Sequence, residues 1–355
     1  MQKIYFTPGP TQLYPKINQY IGEALENGIC SLSHRGKQFQ DIFRNTASSL
    51  RKLLNVPEDF HIFFLGSATE AMERIIENCV EKHSFHFVNG QFSKRFFMTS
   101  QELKKFPGKL ESSPGEGFDF SEADIPLDAE LACLTQNETS TGVSIPVEQI
   151  NLLKKKNPEK LFAVDIVSSV PYADIDYSLI DCTFFSVQKG FGMPAGLGVI
   201  MANKKIIEKA QSLQQNNFNI GSYHSFPSLL KSAAKNQTPE TPNVLGIYLL
   251  GKVCDDLLKT GIDIIRKETD AKAKLLYDFF EDREGYGVFV KDADARSKTV
   301  VTVDVPSGSK NMVNRLSENG FVVGTGYGDL KEKQIRIANF PMHRIEDMEK
   351  MLSFM

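Results

Sequence analysis

The sequence predicts an α/β fold in which helices cover both faces of a mixed, mostly parallel sheet, followed by a smaller α+β unit. Two observations lead to it. Short apolar runs alternate with helical patterns through the first two thirds of the chain, the order of a parallel sheet with crossover helices. Beyond about residue 250 the texture changes to a long helical stretch and then short strand-like and helix-like segments. The chain has 355 residues, 41% of them hydrophobic, enough for a large packed core and about two domains. We expect residues 16–250 to form the larger, and residues 1–15 with 251–355 the smaller.

In chain order, "GKQFQDIFRNTASSLRKLLNV" sets Phe39, Ile42, Phe43, Ala47, Leu50, Leu53 and Leu54 at the spacing of one helix face. Strand-like runs follow at 61–65, 85–88, 131–135, 161–167, 182–187 and 196–201. The last two are joined by too few residues for a crossover helix, so one antiparallel strand is expected among parallel ones. "KNQTPETPNV" is the most irregular segment, and its two Thr-Pro steps favour extended or turn backbone. After it the chain reads as helix, then "SKTVVTVDVP", a helix-like "NMVNRLSEN", "FVVGT", "QIRIANF" and a final helix.

Composition narrows the partners. A net charge of −3 with 24% charged residues offers no overall basic field for nucleic acid. The start, "MQKIYFTPGPT", lacks the layout of a signal peptide, and no run of about 18 apolar residues could span a bilayer, so a cytoplasmic protein without a membrane partner is expected. The five cysteines are scattered and never paired as CxxC; mostly buried thiols, and no metal site, are expected.

In open α/β sheets ligands bind beyond the carboxyl ends of the strands. After "HIFFL" comes "GSATEAMERII", where Ser67 and Glu70 fit a capping box. Such a helix start suits an anion such as phosphate, or is simply a well-capped helix. After "LFAV" comes Asp165, placed to cap a helix or to hold a positively charged ligand nitrogen. In "FFSVQKGFGMPAGLGVIMAN" Lys189 stands between an apolar run and a glycine-punctuated turn. A lysine at a sheet rim usually snorkels to water. Here glycines at 190, 192, 196 and 198 leave room for a flat ligand, and an amine held partly dry loses affinity for its proton and becomes able to form a Schiff base. A phosphate seat, a carboxylate for a ring nitrogen and an imine-forming lysine are the parts that hold pyridoxal phosphate.

These stretches, with "FTPGPT", "SLSHRGKQF", "NGQFSKR", "QNETSTG", "DIVSS", "ETPNVLGIYLL" and "QIRIANFP", resemble the class V, fold-type I pyridoxal-phosphate aminotransferases along nearly the whole chain, and among them the phosphoserine aminotransferases. The resemblance implies the three-layer PLP-transferase fold, pyridoxal 5′-phosphate as cofactor, amino acids and 2-keto acids as substrates, and a homodimer with composite active sites. It makes Lys189 the Schiff-base lysine and Asp165 the partner of the pyridinium nitrogen. Phe92 would lie on the cofactor ring, where relatives often have tryptophan, and Thr139 near the ring oxygen. Ala68, Thr69 and Gln188 would hold the phosphate, with Thr241 reaching it from the neighbouring subunit. Arg336 would clamp the substrate α-carboxylate, while His34 and Arg35 would reach in from the partner chain to a distal phosphate or γ-carboxylate. The implied reaction moves the amino group of L-glutamate to 3-phosphohydroxypyruvate, and the alternative is alanine–glyoxylate or serine–pyruvate transamination. The chain departs from the phosphoserine pattern at Thr69, where a "GGxR" arginine is usual, at Glu240, where asparagine is common, and in "DIVSS", which has the spacing of alanine–glyoxylate relatives. Cysteine desulfurase chemistry is set aside, because Gln188 precedes the lysine and no cysteine follows Cys254.

Overall fold

Apolar strands of five or six residues, packed on both faces, build the larger sheet of this computed structural model, which describes residues 3–121, 123–306 and 308–355. Met1 and Gln2, the start of the expected smaller unit, lie outside the described residues. In chain order the elements are β1 (Ile4–Phe6), α1 (Ile17–Glu26), α2 (Lys37–Leu53), β2 (His61–Leu65), α3 (Ala68–Cys79), β3 (His83–Val88), α4 (Gln91–Glu102) and β4 (Phe106–Glu111). Then come β5 (Leu131–Thr135), the hairpin β6 (Asn137–Glu138) and β7 (Val143–Ser144), α5 (Val147–Lys156), β8 (Leu161–Asp165), β9 (Cys182–Ser186) and β10 (Gly198–Ala202). Helices α6 (Lys204–Gln215), α7 (Phe226–Ala233), α8 (Val244–Thr260) and α9 (Ile262–Glu281) lead to β11 (Gly287–Val288), β12 (Val300–Asp304), α10 (Ser309–Glu318), β13 (Phe321–Thr325), β14 (Gln334–Ala338) and α11 (Ile345–Leu352).

The larger sheet has the order β2-β10-β9-β8-β5-β3-β4. Its strands run parallel except β10, which is antiparallel to both neighbours, as the short β9–β10 connection requires. Every residue of β5, β9 and β10 is buried, the pattern of strands covered on both faces. The expected helix is α2, and Phe39, Phe43, Leu50 and Leu53 form its buried stripe; burying each such side chain stabilises the fold by about 1.5–3 kcal/mol. Thr46 on that stripe donates to the Ile247 carbonyl (3.0 Å), fixing α2 against α8. Strand β4 was not foreseen. Its "FPGKLE" lacks an apolar run because it is an edge strand bonded only to β3, where Pro107 costs no interior hydrogen bond.

The second sheet has the order β1-β13-β14-β12-β11, with β1 parallel to β13 and the other pairs antiparallel. It packs a separate core that includes Phe6, Leu276, Phe280, Val301, Leu316 and Ile337. Of the five cysteines, Cys79, Cys133, Cys182 and Cys254 are buried free thiols and Cys30 is exposed.

Three features of the larger sheet prepare a site. The parallel strands β5, β8 and β9 end side by side, with Thr135 opposite Asp165 and Asp165 opposite Phe184. The runs expected to continue to 167 and 187 stop as strands at Asp165 and Ser186, and beyond Asp165 the chain turns with the Val167 N–H donating back to the aspartate (2.8 Å). Strand β10 brings Gly198 so near the Ser67 backbone that a Cβ there would lie 2.5 Å from the Ser67 carbonyl carbon, which seats the start of α3 beside the β9–β10 connection.

At the opposite end of β9, Lys154 Nζ lies 2.9 Å from Asp181 Oδ2, with side chains only 6% and 2% exposed. Asp181 also accepts from the Phe162 N–H (2.9 Å) and Asn203 (3.0 Å). Lys154→Ala strands a buried carboxylate and is expected to cost about 3–5 kcal/mol. Urea unfolding reads this as a lower midpoint with unchanged slope.

Candidate active site

Lys189 follows β9 and is 6% exposed. Its stem is covered by the N-terminal segment: a Cβ on Gly9 would lie 2.8 Å from Lys189 Cε, and the Thr11 N–H donates to the Gln188 carbonyl (3.1 Å). Lys189 Nζ donates to Thr139 Oγ1 (2.7 Å) and Ser168 Oγ (2.9 Å) and stands 4.9 Å from the centre of the Phe92 ring. Burial pushes this ammonium down from the usual lysine value, against the pull of Asp165 and Glu138 and with help from Arg336. Asp165, 3% exposed, is pushed up by burial, opposed by the Val167 N–H and Lys189. Three of the four glycines near Lys189, at 190, 192 and 198, serve the chain's own packing instead of a ligand's approach. A Cβ on Gly190 would lie 1.7 Å from the Val170 carbonyl oxygen, and one on Gly192 2.7 Å from the Tyr14 nitrogen.

Around Lys189 and Asp165 lies a cavity of about 110 Å³, whose wall also includes Ala68, Thr69, Phe92, Thr139 and Gln188. Larger hollows of about 640, 430 and 550 Å³ occur elsewhere on the surface; the first is lined by Lys154 and Asp181, which already neutralise each other, whereas the small cavity adds unpartnered polar atoms to its buried titratable groups. Chemistry singles out the small one. Thr135 Oγ1, Asn137 Nδ2 and Gln188 Oε1 line it, buried and without a protein partner, which marks a wall shaped for a polar ligand. Ser67 caps α3 by accepting the Glu70 N–H (3.0 Å). The capping box is incomplete: the Glu70 carboxylate takes the Gly66 N–H (2.8 Å) in place of that of Ser67. The N–H groups of the first turn, those of Ala68 and Thr69 included, stand at the cavity wall with the positive end of the helix dipole.

Phe92 is fixed by a residue that sequence reasoning missed. Glu138, 0% exposed, accepts from the Phe92 N–H (3.0 Å), the Ser93 N–H (2.9 Å) and Ser93 Oγ (3.0 Å) through one oxygen. Through the other it accepts from the N–H and hydroxyl of Ser140 (3.0 and 2.7 Å). A carboxylate so bonded holds the start of α4, and with it the Phe92 ring, at the cavity. Asn137 was missed as well. Both lie within "QNETSTG"; the role of Glu138 depends on partners far away in sequence, and the Asn137 amide shows itself only through the cavity it lines.

Arg336 lies on β14, between β12 and β13, so it is not on a sheet edge. Its Nε donates to the Thr325 carbonyl (2.8 Å) and its Nη1 to the Thr139 carbonyl (2.9 Å), bringing the guanidinium beside the Lys189 cluster. His34, Arg35 and Thr241 are not on the cavity wall. Arg35 donates to Gln237 Oε1 (3.1 Å) and to the carbonyls of Thr238 and Pro239 (3.0 Å each), and so does not cap α2. Burial and the Arg35 charge hold His34 below its ordinary value. Glu240 points at His224, with 2.8 Å between Oε2 and Nε2.

No helix among the described residues is long and apolar enough to cross a membrane. The family model for class-V aminotransferases matches residues 5–330. The phosphoserine aminotransferase of Rhodococcus opacus is 26% identical over 350 residues, 98% of this chain and 92% of that protein. A crystal structure of a phosphoserine aminotransferase from Cytophaga hutchinsonii is 47% identical and superposes with a TM-score of 0.98 over 99% of this chain and 98% of that one. An alanine–glyoxylate aminotransferase structure from Nostoc sp. has a TM-score of 0.85 at 23% identity over 100% and 94% of the two chains, a likeness of fold alone. The chain belongs to the class-V aminotransferases, and within them it is most similar to the phosphoserine aminotransferases.

Proposed function

We propose that the chain exchanges the amino group of L-glutamate for the oxo group of 3-phosphohydroxypyruvate, with pyridoxal 5′-phosphate bound in the cavity around Lys189. The observation that carries the reading is the buried amine of Lys189 sharing a small cavity with Asp165 and with three buried polar atoms that have no protein partner. These residues fit the group: an amine for its aldehyde, a carboxylate for its ring nitrogen, an aromatic face and a helix start for its phosphate. When bound, the cofactor supplies a carbonyl that condenses with amines and a protonated ring that withdraws electrons from the Cα–H bond.

Lys189, whose burial favours the neutral amine, would serve as the base that takes the Cα proton on Nζ and delivers it to the carbon on the other side of the amino nitrogen. The hydroxyls of Thr139 and Ser168 orient that nitrogen. Asp165 keeps the proton on the ring nitrogen, and Phe92 covers one ring face. Ala68, Thr69 and Gln188 hold the phosphate, and Thr139 the ring oxygen. Arg336 takes the substrate α-carboxylate in the two-pronged geometry that a guanidinium offers and an ammonium lacks. His34, Arg35 and Thr241 complete the site of a second copy in a homodimer. In this reading residues 16–250 carry the cofactor, and residues 1–15 with 251–355 bring Arg336 to it.

Borohydride reduction of protein supplied with the cofactor, followed by peptide mapping, is expected to find the label on Lys189, and Lys189→Ala to lose at least roughly 10²–10⁴-fold in turnover through loss of the base alone. A label elsewhere, or none, refutes the reading. Arg336→Lys is expected to raise KM for both amino acids by roughly tenfold or more, since one bidentate contact is lost. Substrate choice is checked by following pyridoxal-to-pyridoxamine conversion with phosphoserine, glutamate, alanine and serine. Phosphoserine and glutamate are expected to convert; brisk conversion by alanine or serine alone would move the assignment to the alanine–glyoxylate type.

A further inference from the structure

Three charged side chains that the proposed reaction leaves unused meet beside the first turn of α3. His224, 5% exposed, lies between two carboxylates: Nδ1 contacts Glu70, and Nε2 is 2.8 Å from Glu240 Oε2. Glu70 belongs to the turn that starts with Ala68 and Thr69, and it also grips the Gly66 N–H. Glu240 immediately precedes Thr241 in the irregular segment between α7 and α8. That segment is held from other sides by Arg35 and by Asn243, whose amide donates to the Gly196 carbonyl (3.1 Å). His224 joins it to the start of α3.

Both ring nitrogens have a carboxylate oxygen within ion-pair distance, hydrogen-bonded at Nδ1 and in charge contact without hydrogen-bond alignment at Nε2, a setting that favours the doubly protonated ring. Burial opposes that charge, but Glu240 and Glu70 outweigh it and push His224 up to about 9. The other titratable and charged groups nearby are Arg74 on α3, which pairs with Glu73 and Glu77 and acts on Glu70, and His34, which feels both the Glu240 carboxylate and the Arg35 charge. The Tyr223 ring lies against the imidazole, 4.1 Å between centroids. The bridge also accounts for the acid at position 240: its carboxylate is turned to an imidazolium, not to an anion beside Thr241.

We propose that the Glu70–His224–Glu240 bridge is a positioning device for the phosphate seat, locking the first turn of α3 to the Thr241 segment, so that affinity for the cofactor's phosphate falls when the bridge loses its proton. The proposal rests on the cofactor assignment made above. Deprotonation acts twice in one direction: the link loosens, and two uncompensated carboxylates are left next to the turn that holds a dianion. The folded value lies above the ordinary histidine value of about 6.5, so the effect of the bridge is complete below that pH and is lost as pH rises through about 9.

The probe is pyridoxine 5′-phosphate, which has the ring and phosphate but no aldehyde and so cannot condense with Lys189. Its Kd for the full chain freed of cofactor is measured by calorimetry from pH 6.5 to 10.5, for wild type, His224→Gln and Glu240→Gln, with folding checked by circular dichroism. Titrations of the ligand and of Lys189 are common to all three proteins, so the ratio of variant to wild-type Kd isolates the bridge. His224→Gln is expected to bind roughly tenfold more weakly at pH 7, with the difference vanishing above pH 10. Glu240→Gln, at a half-buried position, is expected to move the weakening of binding to lower pH by about one unit, because one of the two acids that hold the proton is gone. Equal affinities at pH 7, or a difference that does not change with pH, overturn the proposal. Should His224→Gln not fold, Glu240→Gln decides, and an unshifted profile overturns it. Wild type that takes up no probe at any pH, and no borohydride label at Lys189, refutes the cofactor assignment itself.

Discussion

The buried amine of Lys189 is the constraint around which the other groups of the site are arranged. At 6% exposure it has lost nearly all its hydration, and the hydroxyls of Thr139 and Ser168 return only neutral dipoles. Two carboxylates, Asp165 and Glu138, favour the charged form, while burial and Arg336 oppose it. The balance leaves an amine that gives up its proton more readily than a lysine in water does. Even the covering of the stem follows from this: Gly9 admits the N-terminal segment against Lys189 Cε, where any side chain would collide.

The short hairpin β6–β7 ties these groups together. Glu138 anchors α4 and Phe92, Thr139 Oγ1 receives the Lys189 amine, and the Thr139 carbonyl receives Arg336 from the second sheet. Beyond the turn, the Gly142 carbonyl accepts the Ser297 N–H (3.0 Å), and Val143 bridges to Arg296. One strand residue, Thr139's neighbour Glu138, thus holds the aromatic wall, while the next residue joins the amine to Arg336. A shift of this hairpin would move all three, so the burial of residues 137–143 is a condition for the geometry of the site.

What the sequence makes legible is whatever depends on local pattern or on strand ends. The stripe of α2, the six apolar runs and the reversed β10 could be read because periodicity and connection length determine them. Lys189 and Asp165 could be read because strand ends are where ligands bind in such sheets. Strand β4 carries no apolar run, and β1 is three residues long, so neither has a periodic signal. Glu138 looks like any acid in a polar stretch until the fold brings Phe92 and Ser93, 46 and 45 positions away, onto one oxygen. The same holds for Glu70. Its spacing from Ser67 announces a capping box, yet its carboxylate is drawn off to Gly66 and to a histidine 154 positions away.

The charge inventory of the site bears on the proposed homodimer. Among the described residues that line the cavity, Lys189 is the one basic side chain, and Arg336 stands beside it through Thr139. An amino acid with a distal phosphate or carboxylate brings an α-carboxylate, which suits Arg336, and a further anion for which the cavity wall holds no cation. Left unpaired in a dry cleft, that anion would lose more in hydration than the remaining contacts return. Thr69 adds a hydroxyl where an arginine would have supplied the charge, so the requirement is sharper in this chain than in a "GGxR" sequence. The proposed homodimer would supply that cation as Arg35, which lies outside the cavity of its own chain and is hydrogen-bonded to the segment that carries Thr241. Under the proposed function, preference for a substrate with two acidic ends would be a property of the pair of subunits and not of either one alone.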